Sequence, residues 1–344
     1  MALFPLPALA LLFALDVPVQ ETGPSVFHSA SPKRAASIAD LAMAAPRLPA
    51  SARHALPTLS ASEKSALETK DTRREGLRLK APAVKVGLTR ALREEVGFEG
   101  VSAELPRGQS RVVAGGLLER MADGRLVWTA AFASEGAGAL RLHIRSALLP
   151  PGSRAYVYSA AGEVHGPYAF DAGTRPEGFW TNSVFAPEVF LEVQLAPAPV
   201  ADLARARLLV DAVGHLEHPS FAPSTLAPRG AAVRPKSQTC FIDATCVTTA
   251  EFPNVDGASH AVGQLTFEDK GSFYVCTGGL LNTDPATFTP YLLTANHCFS
   301  TQASATSLEA IWNYKRSTCN GPTPNPSLFP RTLGSTLLAT GTVS

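Results

Sequence analysis

The chain has 344 residues, 45% of them hydrophobic and 17% charged, and a formal net charge of +1 at pH 7. That length accommodates two ordinary domains with separate cores, and the composition excludes a disordered or fibrous chain. Near-neutral charge without a block of like charges argues against nucleic acid or an anionic membrane surface as a partner.

The first residues address the compartment. Ala2 to Leu15 is an apolar run broken by prolines and closed by Asp16. It is shorter than the about 20 residues that span a bilayer, but it fits the apolar region of a secretory signal, so residues 1–20 are expected to be a signal peptide. The basic residues that usually precede such a region are missing, and a buried helix of a cytosolic domain is the rival reading. No later segment is apolar for long enough to anchor the chain, so no membrane contact is expected after signal removal. All five cysteines lie between Cys240 and Cys319. Clustered cysteines in an exported chain form disulfides, and the odd number leaves one thiol free or paired beyond Ser344.

Residues 21–100 read as a partly disordered pro-segment. Ala, Pro and Ser dominate up to Ser62 without periodicity. Leu88, Leu92 and Val96 then recur at every fourth position, which predicts a short amphipathic helix. Over 101–196 the pattern changes to alternating strands: Arg125 to Phe132, Ala139 to Arg145, Ala155 to Tyr158 and Val189 to Leu195, with Pro150-Pro-Gly152 and Ala161-Gly162 as turns. Alternation buries one face and wets the other, so this region is expected to be a β-sandwich. Trp128 and Trp180 are expected to pack its core rather than form a sugar platform. His143 and His165 read as ordinary strand and turn residues.

Residues 197–236 form a Pro- and Ala-rich linker with a helical candidate over Val200 to Val210. His215 and His218 stand three apart, yet Pro219 follows and no third ligand is near, so a solvated linker is preferred to a metal pair and no metal or cofactor is expected. Arg234-Pro-Lys236 is open to proteolysis, which places a processing site at Lys236–Ser237. His260, in a polar loop, reads as surface.

The chemistry is concentrated in Cys276-Thr-Gly-Gly-Leu-Leu-Asn282 and Tyr291-Leu-Leu-Thr-Ala-Asn-His-Cys298. Phe273 to Leu281 and Pro290 to Ala295 read as apolar strands, with Asp284-Pro285 as the turn. A histidine thus ends a buried strand beside small Ala295 and before Cys298, where an imidazole can stand at a rigid rim and exchange protons. Thr294-Ala-Asn-His-Cys298 resembles the histidine motif of the chymotrypsin/trypsin superfamily of serine proteases. The finer likeness is to bacterial lysyl endopeptidases, through Cys240-Phe-Ile-Asp-Ala-Thr-Cys246, Leu280-Leu-Asn-Thr283, Pro290-Tyr-Leu-Leu-Thr294 and Trp312-Asn-Tyr314 before Cys319. Asn296 departs from the superfamily's commoner alanine at a position that varies.

The resemblance implies a mainly β chain: a sandwich pro-domain, then residues 237–344 as the incomplete N-terminal barrel of a two-barrel trypsin-like fold. It implies His297 as general base, the pairs Cys276–Cys298 and Cys246–Cys319, and a downstream partner for Cys240, whose rival role is a free nucleophile. Family order is His, Asp, Ser. After His297 there is no aspartate, the only carboxylate is Glu309, and no Gly-Asp-Ser-Gly occurs. The expectation is a secreted serine endopeptidase precursor, Lys-specific by resemblance, cut short of its acid, its serine and its second barrel, and inactive as it stands. Its expected partners are protein or peptide substrates and its own pro-domain. The alternative is a non-catalytic secreted β-sandwich binding protein with a degenerate protease-like domain.

Overall fold

The structure is a computed structural model; it describes residues 36–42, 47–68, 83–102, 104–170, 174–175, 178–217, 243–282 and 289–341. The signal-peptide reading, the Lys236–Ser237 processing site, His218 and Cys240 lie outside the described residues.

Seventeen strands are described, and they form two sheets. The first runs β3 (Ser110–Val113), β4 (Gly116–Arg120), β5 (Leu126–Ser134), β11 (Glu188–Leu195), β7 (Arg154–Tyr158), β8 (Val164–Ala169). Where β4 stops, β1 (Arg53–Leu56) continues parallel along β5. The second runs β10 (Phe179–Trp180), β6 (Ala139–Leu148), β12 (Arg207–Leu216), β2 (Val84–Glu99), β14 (Ser272–Leu280), β13 (Val262–Asp269), β16 (Glu309–Trp312), β17 (Arg331–Leu333). The short strands β9 (Thr174–Arg175) and β15 (Leu292–Thr294) pair with β6 and β14. Four short helices, α1 (Ala61–Glu68), α2 (Val200–Leu203), α3 (Val255–His260) and α4 (Gln302–Thr306), complete the described elements of that class.

The expected strands are present and share one core, but β5 and most of β11 are buried on both faces rather than wet on one, because Leu48 and Ala52 cover Ala131, Tyr156, Tyr158 and Phe190 on the outer side. Leu118, Trp128, Phe132 and Leu191 of the first sheet pack with Phe98, Leu142, Ile144, Leu208 and Val213 of the second. Trp128 is fully buried and its indole N–H donates to the Val113 carbonyl at 3.0 Å, so it is a core residue with its one donor satisfied.

Three expectations need correction. Leu88, Leu92 and Val96 lie in strand β2, not in a helix. A four-residue repeat is also a multiple of two, and β2 sits between β12 and β14, where pairing and burial outweigh local helix preference. Only Val200–Leu203 of the second helical candidate is helical. From Arg207 the chain enters β12, which is paired on both edges with β2 and β6. Consequently 84–99 and 207–216 are sheet strands of the sandwich, although they fall in the expected pro-segment and linker. The third correction follows: His215 is completely buried rather than solvated.

Sandwich and C-terminal lobe meet along β14. Its first half, Ser272 to Val275, pairs with β2, and its last residues, Gly278 to Leu280, pair on the same side with β15. Trp180 of the sandwich packs edge-on to Phe273 at 4.9 Å. Beside this apolar contact lies a buried charge cluster. Glu309 accepts from Asn182 Nδ2 at 2.9 Å, from Ser183 N at 3.0 Å and from Ser183 Oγ at 2.6 Å. Arg331 donates to Ser183 O at 2.5 Å and pairs with Glu309 and Glu163. Arg141 donates to Thr181 O and Ser307 O. Burial opposes the charged form of Glu309, yet Arg331, Arg141 and these bonds prevail and hold its pKa below the ordinary 4.5.

Candidate active site

The site is built on β14 and β15. Antiparallel pairing aligns Gly278 with Thr294, Gly279 with Leu293 and Leu280 with Leu292, and Thr294 Oγ1 donates to Thr277 O at 2.9 Å. Gly278 has to be small: a Cβ there would stand 2.8 Å from Leu265 Cδ1 and 2.9 Å from Leu292 Cδ1. The chain leaves β15 in a tight turn in which Cys298 N donates to Ala295 O at 2.9 Å. That turn presents His297 between a lining strand and a buried anchor, Cys298.

Cys298 is 2% exposed and belongs to the lobe's core with Leu265, Phe267, Phe299, Ala305 and Leu308. Phe267 and Phe299 meet edge to face at 5.0 Å beneath the turn. Cys298 is bridged to Cys276 of β14, closing a 22-residue separation, and Cys246 is bridged to Cys319 across 73 residues. The first bridge and the rigid strand pair fix the backbone on both sides of His297.

His297 is half-buried, and its Nδ1 is turned away from solvent. A ring nitrogen lies within 4.8 Å of both sulfurs of the Cys276–Cys298 bridge. The segment after β17 returns to the same place. Leu337 N donates to Gln302 Oε1 at 2.8 Å, and Thr340 Oγ1 donates to Asn296 Oδ1 at 2.5 Å. An imidazole held in this way can accept and return a proton at the surface of the lobe while its backbone stays still.

Glu309 is not near enough in role to serve this histidine. Both its oxygens are committed to Asn182, Ser183 and Arg331 at the sandwich interface. Several other described histidines have partners of their own. His143 Nδ1 lies 2.6 Å from Asp211, and His165 Nε2 lies 2.8 Å from Glu163. His260 is exposed at the end of α3. His215 Nδ1 lies 2.8 Å from Ser134 Oγ, which also accepts from Arg90. This Ser–His contact was invisible to sequence reasoning, since 81 residues separate the partners. It imitates half a triad, but both side chains are fully buried where no substrate can reach. Burial, helped by Arg90, lowers the His215 pKa to about 4, so it stays neutral.

The comparisons with known proteins concern this lobe. A family model described as "Lysyl endopeptidase, C-terminal domain" matches residues 235–344. A lysyl endopeptidase of Pseudomonas aeruginosa is 35% identical over 106 residues, which make up 30% of this chain and 23% of the relative. The chain therefore aligns with less than a quarter of that relative's length. No solved structure matches the chain significantly. The C-terminal third that holds His297, residues 235–344, is thus similar to lysyl endopeptidases.

Proposed function

We propose that the chain is part of the precursor of a secreted serine endopeptidase, with His297 as the general base toward a serine and then the general acid toward the leaving amine. The observation that carries this reading is the position of His297. It ends a strand of the lobe that is similar to lysyl endopeptidases, and a sulfur bridge clamps the turn that presents it. Acyl transfer needs such an immobile acceptor, because the proton must pass within hydrogen-bond reach of the attacking oxygen. The segment around Leu337 to Thr340 is tied to Gln302 and to Asn296, the chain neighbour of His297.

Under this reading residues 1–20 are a signal peptide, the sandwich is a pro-domain that folds against the lobe, and Lys236–Ser237 is where the two are cut. Lysine at that bond suits processing by a lysine-specific enzyme. The 344 residues supply no aspartate after His297 and no Gly-Asp-Ser-Gly. Triad-dependent turnover therefore needs an acid and a serine that are not among them. Two disulfides suit an oxidising compartment. Among the described residues no helix is long and apolar enough to cross a membrane.

The test is a chimera in which the remainder of the P. aeruginosa lysyl endopeptidase follows the matched region. It should hydrolyse lysyl peptides, His297→Ala should cut kcat by about 10⁴-fold or more, and residues 1–344 alone should show no such turnover. Turnover by the chimera that ignores His297→Ala would refute the assignment.

A further inference from the structure

Cys276, His297 and Cys298 are more than a histidine beside a bridge. Their sulfurs and a ring nitrogen all lie within 4.8 Å of one another. Zinc bound tetrahedrally, with Zn–S about 2.3 Å and Zn–N about 2.0 Å, needs ligand atoms about 3.5–3.8 Å apart. While the bridge is intact the sulfurs are not available as ligands. We propose that opening the Cys276–Cys298 bridge converts these three side chains into a Zn²⁺ site, with solvent as the fourth ligand.

The chemistry balances with a dithiol as reductant. One of its sulfurs attacks Cys276 Sγ, because Cys276 is the half-buried partner, whereas Cys298 is 2% exposed and shares the core with Phe267 and Phe299. The Cys298 thiolate leaves and takes a proton. The second dithiol sulfur then releases Cys276, so the reductant departs as a disulfide and its two hydrogens end on the two cysteines. Zn²⁺ displaces two protons to solvent and binds two thiolates and the imidazole. The scaffold suits this exchange. Cys276 is paired with Leu265 of β13 and flanked along β14 by the stretches that pair with β2 and β15, Cys298 is anchored in the core, and His297 is its chain neighbour, so the donors stay close when the S–S bond is gone.

The site stands on these side chains alone. Its consequence rests on the reading of His297 as the base: a metal on either ring nitrogen removes an atom that acyl transfer needs. The bridge would then be a redox gate that silences the histidine when reductant and zinc are both present. Spacing in the sequence could not reveal it, because Cys276 and His297 are 21 positions apart and meet only through β14–β15 pairing.

The test uses residues 1–344, reduced with a water-soluble phosphine, which becomes its oxide by taking the oxygen of water. After removal of phosphine, zinc chloride is added. Zinc retention is measured against a chromophoric chelator, and alkylation of each cysteine is followed by peptide mass. The expected result is one zinc per reduced chain, with Cys276 and Cys298 alkylated about tenfold or more slowly than Cys246 and Cys319. His297→Ala should weaken retention by about tenfold or more through loss of one of three protein ligands. Circular dichroism should retain its strand signal on reduction. Absence of zinc uptake, undiminished uptake in Cys276→Ser, protection falling on the other cysteines, or unfolding on reduction would each overturn the proposal. None of these readouts depends on peptidase activity, so the site can fail while the base assignment survives, and the reverse.

Discussion

Replacing Glu309 with glutamine removes one buried charge while keeping shape and volume. In the unaltered chain one carboxylate oxygen accepts from Asn182 Nδ2 and Arg331, and the other accepts from Ser183 N and Ser183 Oγ. The glutamine amide must put a donor at one of these two places, where it opposes either the backbone N–H of Ser183 or the Arg331 guanidinium. One charge-assisted bond is lost, worth about 1.5–3 kcal/mol, and Arg331 and Arg141 keep less compensation in a buried site. Breaking a buried ion pair from one side typically costs about 3–5 kcal/mol, and because Arg331 keeps Glu163 the lower figure is expected here. Urea unfolding followed by fluorescence of Trp128, Trp180 and Trp312 would measure it. The same variant checks the sign of the pH dependence. Since the folded pKa of Glu309 lies below 4.5, its contribution is complete above that value and is lost as pH falls through the lower, folded one. Glu309→Gln should therefore flatten the acid limb of the stability curve. A loss under about 1 kcal/mol, with the acid limb unchanged, would refute the view that this cluster holds the two units together.

His215 gives a second pH signature: with its folded pKa near 4 against 6.5, stability should rise by up to about 3 kcal/mol between those values, and His215→Gln should remove that slope in denaturant midpoints. Gly97→Ala places a Cβ 1.8 Å from the Leu208 carbonyl oxygen, so it should force β2 from β12 and cost about 3 kcal/mol or more, read as a fall in Tm and loss of strand dichroism. Cys276→Ser should cost about 3 kcal/mol by freeing the 22-residue loop, seen in chemical denaturation under oxidising conditions.

The sandwich strands were readable as strands because their local β preference and their tertiary pairing coincide. Leu126–Ser134, Ala139–Leu148 and Glu188–Leu195 are strands as expected, but alternation misjudged their outer face: in Leu126–Ser134 and Glu188–Leu195 nearly every residue is buried. The apolar run before His297 reads as a buried strand over Pro290 to Ala295, but only Leu292–Thr294 is a strand and it is not buried: Leu293 is exposed, because β15 lies against β14 alone among the described strands. Local pattern failed where it has two meanings. The spacing of Leu88, Leu92 and Val96 satisfies helix and strand alike, and only pairing with β12 and β14 decides between them. His215, three residues before His218 and its following Pro219, looked solvated, yet its neighbours on both sheet edges bury it.

Composition, alternation and motif order thus determined from the sequence alone that the chain is mainly β and that no aspartate follows His297 among its 344 residues. Tertiary structure alone decided how the units join. The pairing of β2 with β14, the burial of Glu309 against Ser183 and the meeting of Cys276, His297 and Cys298 all link residues far apart in the chain. Such contacts depend on which strand edges and buried charges find each other on folding, and a one-dimensional pattern carries no record of that choice.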